Sequence, residues 1–228
     1  MDEFVKPRGT STLCLLKPTP KQQLFLDQRE TREVFFGGAA GGGKSVALLM
    51  GALEYVEVPG YAALILRKDI ARMELAGGLI PRMHEWQRQA DTNARWIASR
   101  RQWIFPIEGR SDKFPATITF GYLSNPRDKY RYASSEFQYI AFDELTDFQE
   151  EDYLFLFSRL RRREGVKAKL RMRSASNPGG PGHAWVKRRF IEGAVEGSVV
   201  RVQGSARAET RCLRTLNADV KFATKSEA

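Results

Sequence analysis

Apolar residues recur along the chain in two rhythms. Short apolar runs at Glu33–Phe36, Ala62–Leu66 and Phe137–Phe142 each end abruptly in glycine or charge, the pattern of strands buried on both faces. Helical spacing fills the intervals. It runs through Ser45–Val56 and stops near Pro59-Gly60, then resumes over Leu79–Gln89, Glu150–Leu160 and His183–Ile191. Thr19-Pro20 reads as a helix start, with proline in the first turn. Gln102–Phe105 and Thr117–Tyr122 alternate like a partly exposed hairpin, separated by turn residues between Pro106 and Pro115, and Leu170–Ala175 leads into an Asn-Pro-Gly-Gly turn. Strands alternating with helices predict an α/β fold with a mostly parallel central sheet between two helical layers. Met1–Pro18 reads as an N-terminal arm and residues 19–196 as the folded domain. Residues 197–228 show no sustained period of either kind, so they are expected to be poorly ordered and are assigned no role.

Two of the strand ends carry chemistry. The first runs into FFGGAAGGGKS, which contains the Walker A pattern from Gly38 through Ala39, Ala40, Gly41 and Gly42 to Gly43, Lys44 and Ser45. Glycines let the backbone curl around a phosphate, so successive N–H groups and the following helix N-terminus point at the anion. Lys44 is then placed to reach the β- and γ-phosphates of ATP, and Ser45 to hold Mg²⁺ through its hydroxyl. The third strand, Tyr139–Phe142, delivers Asp143 and Glu144 at its C-terminal end, the edge at which open α/β sheets bind ligands. Asp143 is the candidate second Mg²⁺ group and Glu144 the candidate for orienting the attacking water. A glutamate beside the Walker B aspartate points to the ASCE branch of the P-loop NTPases, which carries its own catalytic acid.

Supporting positions are less distinctive. Ser176 and Asn177, after the next strand, suit hydrogen bonding to the γ-phosphate or to Glu144, although the same residues also make a plain Asn-Pro-Gly-Gly turn. Gln22, Gln23 and Phe25 fit an adenine contact or an ordinary amphipathic helix. An arginine near the γ-phosphate normally completes such a site; Arg67, Arg127, Arg131 and Arg159 are the candidates, with Arg131 and Arg159 taken as the catalytic ones.

Charge adds a partner class. Lys and Arg total 37 against 27 Asp and Glu, a formal net charge of +10, which favours a polyanion. Arg161-Arg162-Arg163 and the alternating Lys167, Lys169, Arg171 and Arg173 would put four cations on one face of a strand, and Lys187-Arg188-Arg189 adds a second cluster. These suit phosphate tracking, or equally a solvated sheet edge protected by charge. Two cysteines and two histidines do not make a zinc pattern or a disulfide framework. No apolar stretch reaches membrane-spanning length and no secretory leader is evident, so an intracellular protein with no membrane partner is expected.

The order of FFGGAAGGGKS, LILRKD, DKYRY, YIAFDEL, SRLR and SASNPGGPGHAWVKRRF resembles the ATPase domain of tailed-bacteriophage terminase large subunits, over roughly Pro20 to Ile191. The resemblance implies an ATP-driven motor that threads double-stranded DNA into a procapsid in the host cytoplasm. It further implies a homo-oligomeric ring on the portal protein and a small terminase subunit as partner. By it, Lys44, Ser45, Asp143 and Glu144 carry over as Walker residues, Ser176 and Asn177 as the motif coupling hydrolysis to movement, and the Gln22 region as the adenine motif. Two departures stand out. Ala40 occupies a position where some members have an arginine, which leaves that role to Arg131 or Arg159, acting within the chain or on a neighbouring subunit. Nothing after Ile191 resembles the nuclease domain these proteins usually carry, so this chain alone is expected not to cut DNA. A helicase-like translocase, and a basic DNA-binding module with an inactive ATP site, remain as alternatives.

Overall fold

Strands that are apolar on both sides need cover on both sides, and helices provide it here. A computed structural model describes residues 16–38, 41–107, 114–192, 199–201 and 209–214. Its strands are β1 (Glu33–Gly37), β2 (Ala62–Arg67), β3 (Arg95–Ile97), β4 (Gln102–Phe105), β5 (Ala116–Tyr122), β6 (Tyr139–Asp143), β7 (Arg171–Ser176), β8 (Val199–Arg201) and β9 (Glu209–Arg214). They form one sheet in the order β3-β4-β5-β2-β6-β7-β1-β9-β8. The run β5-β2-β6-β7-β1-β9 is parallel throughout, and the β3-β4-β5 and β8-β9 pairings at the edges are antiparallel. The Walker A strand β1 and the Walker B strand β6 are therefore separated by β7, as the ASCE arrangement requires.

The helices are α1 (Pro20–Leu26), α2 (Lys44–Leu53), α3 (Ala71–Glu74), α4 (Leu79–Gln89), α5 (Glu150–Phe157) and α6 (His183–Phe190). Alternation along the strands sorts the core into two layers. Val34, Phe36, Ala63, Ile65, Tyr139, Ala141 and Ala175 face α1, α2 and α4. Phe35, Leu64, Leu66, Ile140, Phe142 and Met172 face α5 and α6. Helix α1 starts in a capping box: Gln22 N–H donates to Thr19 Oγ1 at 3.3 Å, and Thr19 N–H donates back to Gln22 Oε1 at 2.8 Å. No helix among the described residues is long and apolar enough to cross a membrane.

Several expectations are corrected. The basic strand begins only at Arg171, and its cationic face points into the protein. Arg171 and Arg173 are both buried. Arg171 donates to Glu54 and to Gly51 O, and lies 4.5 Å from the centre of the Tyr55 ring. Arg173 donates to the main-chain oxygens of Gln28, Thr31 and Met172. Lys169 pairs with Glu30, Arg188 with Glu150, and Arg189 with buried Glu33. Half of the ten cations in the two clusters, Lys169, Arg171, Lys187, Arg188 and Arg189, thus pair with acids of the same chain. Arg173 is buried against main-chain oxygens, and Arg161, Arg162, Arg163 and Lys167 are exposed.

Beyond the expected boundary at residue 196 the sheet continues, because β9 pairs in parallel with all five residues of β1. A short, charge-rich strand at a sheet margin shows little periodicity, and its place comes from main-chain pairing. Strand β3 and helix α3 carry no sequence signal of their own either. Phe137 makes only a bridge to Leu160, so β6 starts at Tyr139. Residues 1–15 of the arm, the turn at 108–113, and Cys14 lie outside the described residues.

Candidate nucleotide site

Parallel strands bring their C-terminal ends to one edge, and β1, β7, β6 and β2 lie side by side there. The loop after β1 returns through Gly41 (φ 81°) and Gly43 (φ 67°) into α2. Both angles are left-handed values at which a side chain is strained. A Cβ on Gly43 would also stand 2.5 Å from Gln22 Nε2. Ala39 and Ala40 lie outside the described residues. Gly41, Gly42, Gly43, Lys44 and Ser45 form one wall of an open cavity of about 420 Å³, with Asp143, Glu144 and Asn177 across from them.

Inside this cavity the charged groups are wired together. Lys44 Nζ donates to Gly38 O at 3.1 Å and to Asn177 Oδ1 at 2.9 Å. Burial holds its pKa below the usual lysine value, partly countered by Glu144 and Asp143. The Asn177 amide faces both ways. Its Nδ2 donates to Glu144 Oε1 at 3.1 Å, and its main-chain N–H donates to Glu144 Oε2 at 3.3 Å. An ammonium can only donate and a carboxylate only accept, so the amide's orientation is determined. Ser176 Oγ lies 3.4 Å from Glu144 Oε2 and 2.7 Å from Thr146 Oγ1, which ties the 3-10 turn after Walker B (Leu145–Asp147) to the end of β7. Glu144 has φ 56° and ψ 59°, a left-handed conformation that costs a residue with a Cβ about 1–2 kcal/mol. The Asn177 and Ser176 contacts hold the carboxylate in that conformation.

Ser45 Oγ donates to Asp143 Oδ1 at 2.7 Å. Asp143 Oδ2 is buried without a hydrogen-bond partner, 3.6 Å from Arg67 Nε, which also has none. Burial pushes the Asp143 carboxyl above its ordinary pKa, while Ser45 and Arg67 oppose the shift. A hydroxyl and a carboxylate with an unfilled lone pair are hard oxygen donors, which suits Mg²⁺.

The other sequence candidates fall elsewhere. Gln22 is buried behind the loop: Nε2 donates to Gly43 O at 2.8 Å while Oε1 caps α1, so its amide supports the loop and does not line the cavity. Arg131 pairs with Asp128 at 2.5 Å and lies over the Tyr122 ring, and Arg159 donates to Ala133 O. Neither they nor Arg127 line the cavity of this chain. Of the arginine candidates only Arg67 does. Sequence reading missed Arg82, which lines the cavity from α4, together with Gly77, Gly78 and Leu79. The one available signal was the glycine pair before a helix start, and only long-range packing gives it a place at the site.

Sheet order, phosphate loop and the paired carboxylates define a P-loop NTPase of the ASCE class. The family model described as "Terminase large subunit, T4likevirus-type, N-terminal" matches residues 35–226, and the chain belongs to that family. Among curated proteins none matches the sequence. The fold is similar to the large terminase of a thermophilic bacteriophage in complex with ADP, at 14% identity and TM-score 0.62, covering 86% of this chain and 45% of that one. It is also similar to the large terminase ATPase domain of Thermus phage P74-26, at 18% identity and TM-score 0.59, covering 92% and 86%. This chain thus spans less than half the length of the first of these two proteins, which has also been solved with ATP-γ-S.

Proposed function

We propose that the chain is the Mg²⁺-dependent ATPase of a viral DNA-packaging motor, driving double-stranded DNA into a procapsid. The observation that supports the catalytic reading is the Lys44–Asn177–Glu144 chain of hydrogen bonds, in which one amide joins the cation proposed to bind phosphate and the carboxylate proposed to orient water. Ser45 and Asp143 would hold Mg²⁺, which when bound neutralises phosphate charge. An incoming triphosphate draws Lys44 Nζ from Gly38 O and Asn177 Oδ1. Asn177 keeps Glu144 aimed at the space beyond the terminal phosphate, where the carboxylate orients the attacking water. Loss of that phosphate returns Lys44 to Asn177, so the turn after β7 registers whether hydrolysis has occurred. Thr146 passes the change on, because its main-chain oxygen accepts from Gly182 N–H at 2.7 Å, at the start of α6.

Family membership supports the packaging role, and with it a homo-oligomeric ring, a portal protein and a small terminase subunit as partners in the host cytoplasm. Arg131, its side chain 46% exposed, is the candidate to serve a neighbouring subunit's site, with Arg159, which donates to Ala133 O, as the second. The test is phosphate release from Mg–ATP at high protein concentration, with and without duplex DNA. DNA-stimulated, Mg²⁺-dependent release from a chain that leaves the duplex intact and uncut is expected. Strand separation would favour a helicase-like translocase, and nucleotide binding without turnover would favour an inactive module.

A further inference from the structure

The cavity has a second cationic wall that the phosphate loop does not explain. Arg67 ends β2, and Arg82 lies one turn into α4; both line the space occupied by Lys44, Asp143 and Glu144. Arg82 is half-buried, and its side chain makes no hydrogen bond or ion pair among the described residues. Arg67 Nε and Asp143 Oδ2 are both buried and lack hydrogen-bond partners. Those two atoms lie 3.6 Å apart as an ion pair, and Arg67 Nη1 donates to Arg72 O at 3.3 Å, so Arg67 is held against Asp143 at the cavity wall while Arg82 keeps its donors for a ligand. The approach of α4 is itself specified: a Cβ on Gly78 would meet Met73 O at 2.4 Å and Leu75 O at 2.7 Å, so only glycine allows the chain to turn there.

Strand order says which part of a nucleotide this wall meets. From β1, which bears the phosphate loop, the sheet runs β7, β6, β2, so Arg67 stands three strand spacings away, roughly 14 Å. Asp143 and Glu144 lie between. With a diphosphate seated in the loop, the added terminal phosphate of a triphosphate is the group that would approach that wall. We infer that Arg82 and Arg67 grip the terminal phosphate from within the same chain, making the site selective for nucleoside triphosphate over diphosphate. They supply the charge that Ala40 cannot. This rests on the ATPase reading and adds to it the residues that distinguish substrate from product. A charge-assisted contact of this kind corresponds to about a ten- to hundredfold change in affinity.

Mg–ADP and Mg–ATP-γ-S are titrated into the full chain and into Arg82→Gln, Arg82→Lys and Arg67→Gln, with melting temperature measured on each. Arg82→Gln is expected to weaken ATP-γ-S binding about tenfold or more while ADP binding stays within about twofold, whereas Arg67→Gln, which also removes the cation beside Asp143, weakens both with the larger loss for ATP-γ-S. Arg82→Lys recovers part of the loss. An unchanged ratio of the two affinities in Arg82→Gln, or an equal loss of both ligands, overturns the inference and leaves the ATPase reading standing. Failure of the unsubstituted chain to bind either nucleotide defeats both.

Discussion

Glu54→Gln and Arg171→Met test whether the cations of β7 serve the fold or a DNA partner. Both side chains are 1% exposed and paired, and Glu54 also accepts from Arg29 Nε at 3.0 Å. Burial acts against the Arg171 charge, but Glu54 and the tyrosines at 55, 61 and 139 more than offset it, so its pKa is raised. Removing the Glu54 charge strands a buried guanidinium, whose Nε already lacks a partner, at a cost of about 3–5 kcal/mol. Removing Arg171 instead leaves Glu54 with Arg29, whose side chain is 35% exposed, and methionine refills the volume; about 1–2 kcal/mol is expected. With a urea slope near 3 kcal/mol/M, Glu54→Gln shifts the unfolding midpoint down by about 1 M or more, and Arg171→Met by about half a molar. The Glu54→Leu/Arg171→Met double variant recovers most of the loss, since an apolar pair of similar volume replaces the buried ions. DNA affinity and its salt slope stay at wild-type values in Arg171→Met. A larger destabilisation from Arg171→Met than from Glu54→Gln, or a salt slope reduced by about one, would refute this reasoning.

Three further outcomes follow from the same geometry. Gln22→Ala is expected to weaken ATP and GTP binding alike, because the amide supports Gly43 and does not read a base; a selective loss of adenine nucleotides would show otherwise. Gly43→Ala should nearly abolish nucleotide binding, since it adds a strained φ and a contact 2.5 Å from Gln22 Nε2; calorimetry at wild-type affinity would contradict the loop geometry. His84 packs against Trp96 and Trp103, and burial, reinforced by Arg88, lowers its pKa from 6.5. A base whose folded pKa lies below its unfolded one contributes stability that is intact above about pH 6.5 and lost as pH falls below it. His84→Gln should flatten that acid slope in tryptophan-detected unfolding, and an unchanged slope would assign it elsewhere.

What was legible in the sequence divides along physical lines. Walker A and B positions could be read because local chemistry specifies them: glycines for left-handed turns, and a strand end for the carboxylates. The buried strands β1, β2 and β6 showed as apolar runs because helices cover both their faces. The orientation of Arg171 and Arg173 could not be read, since period-two alternation looks the same whether charge faces water or a buried glutamate. Nor could the placement of Arg82 or Arg131, as nothing in either segment records which element packs beside the phosphate loop. Strand β9 was hidden for a related reason: parallel pairing with β1 is main-chain chemistry that leaves little mark on side-chain pattern.

The most direct test of the central claim is single-turnover hydrolysis of Mg–ATP by the wild-type chain, Glu144→Gln and Asn177→Ala, with nucleotide affinity measured on the same preparations. All three proteins are expected to bind ATP within a few-fold of one another. Only the wild type should turn over at full rate, with Glu144→Gln reduced about a hundredfold or more and Asn177→Ala roughly tenfold. Wild-type turnover by Glu144→Gln would contradict the account, because it would place the water-orienting group somewhere other than the carboxylate that Asn177 holds.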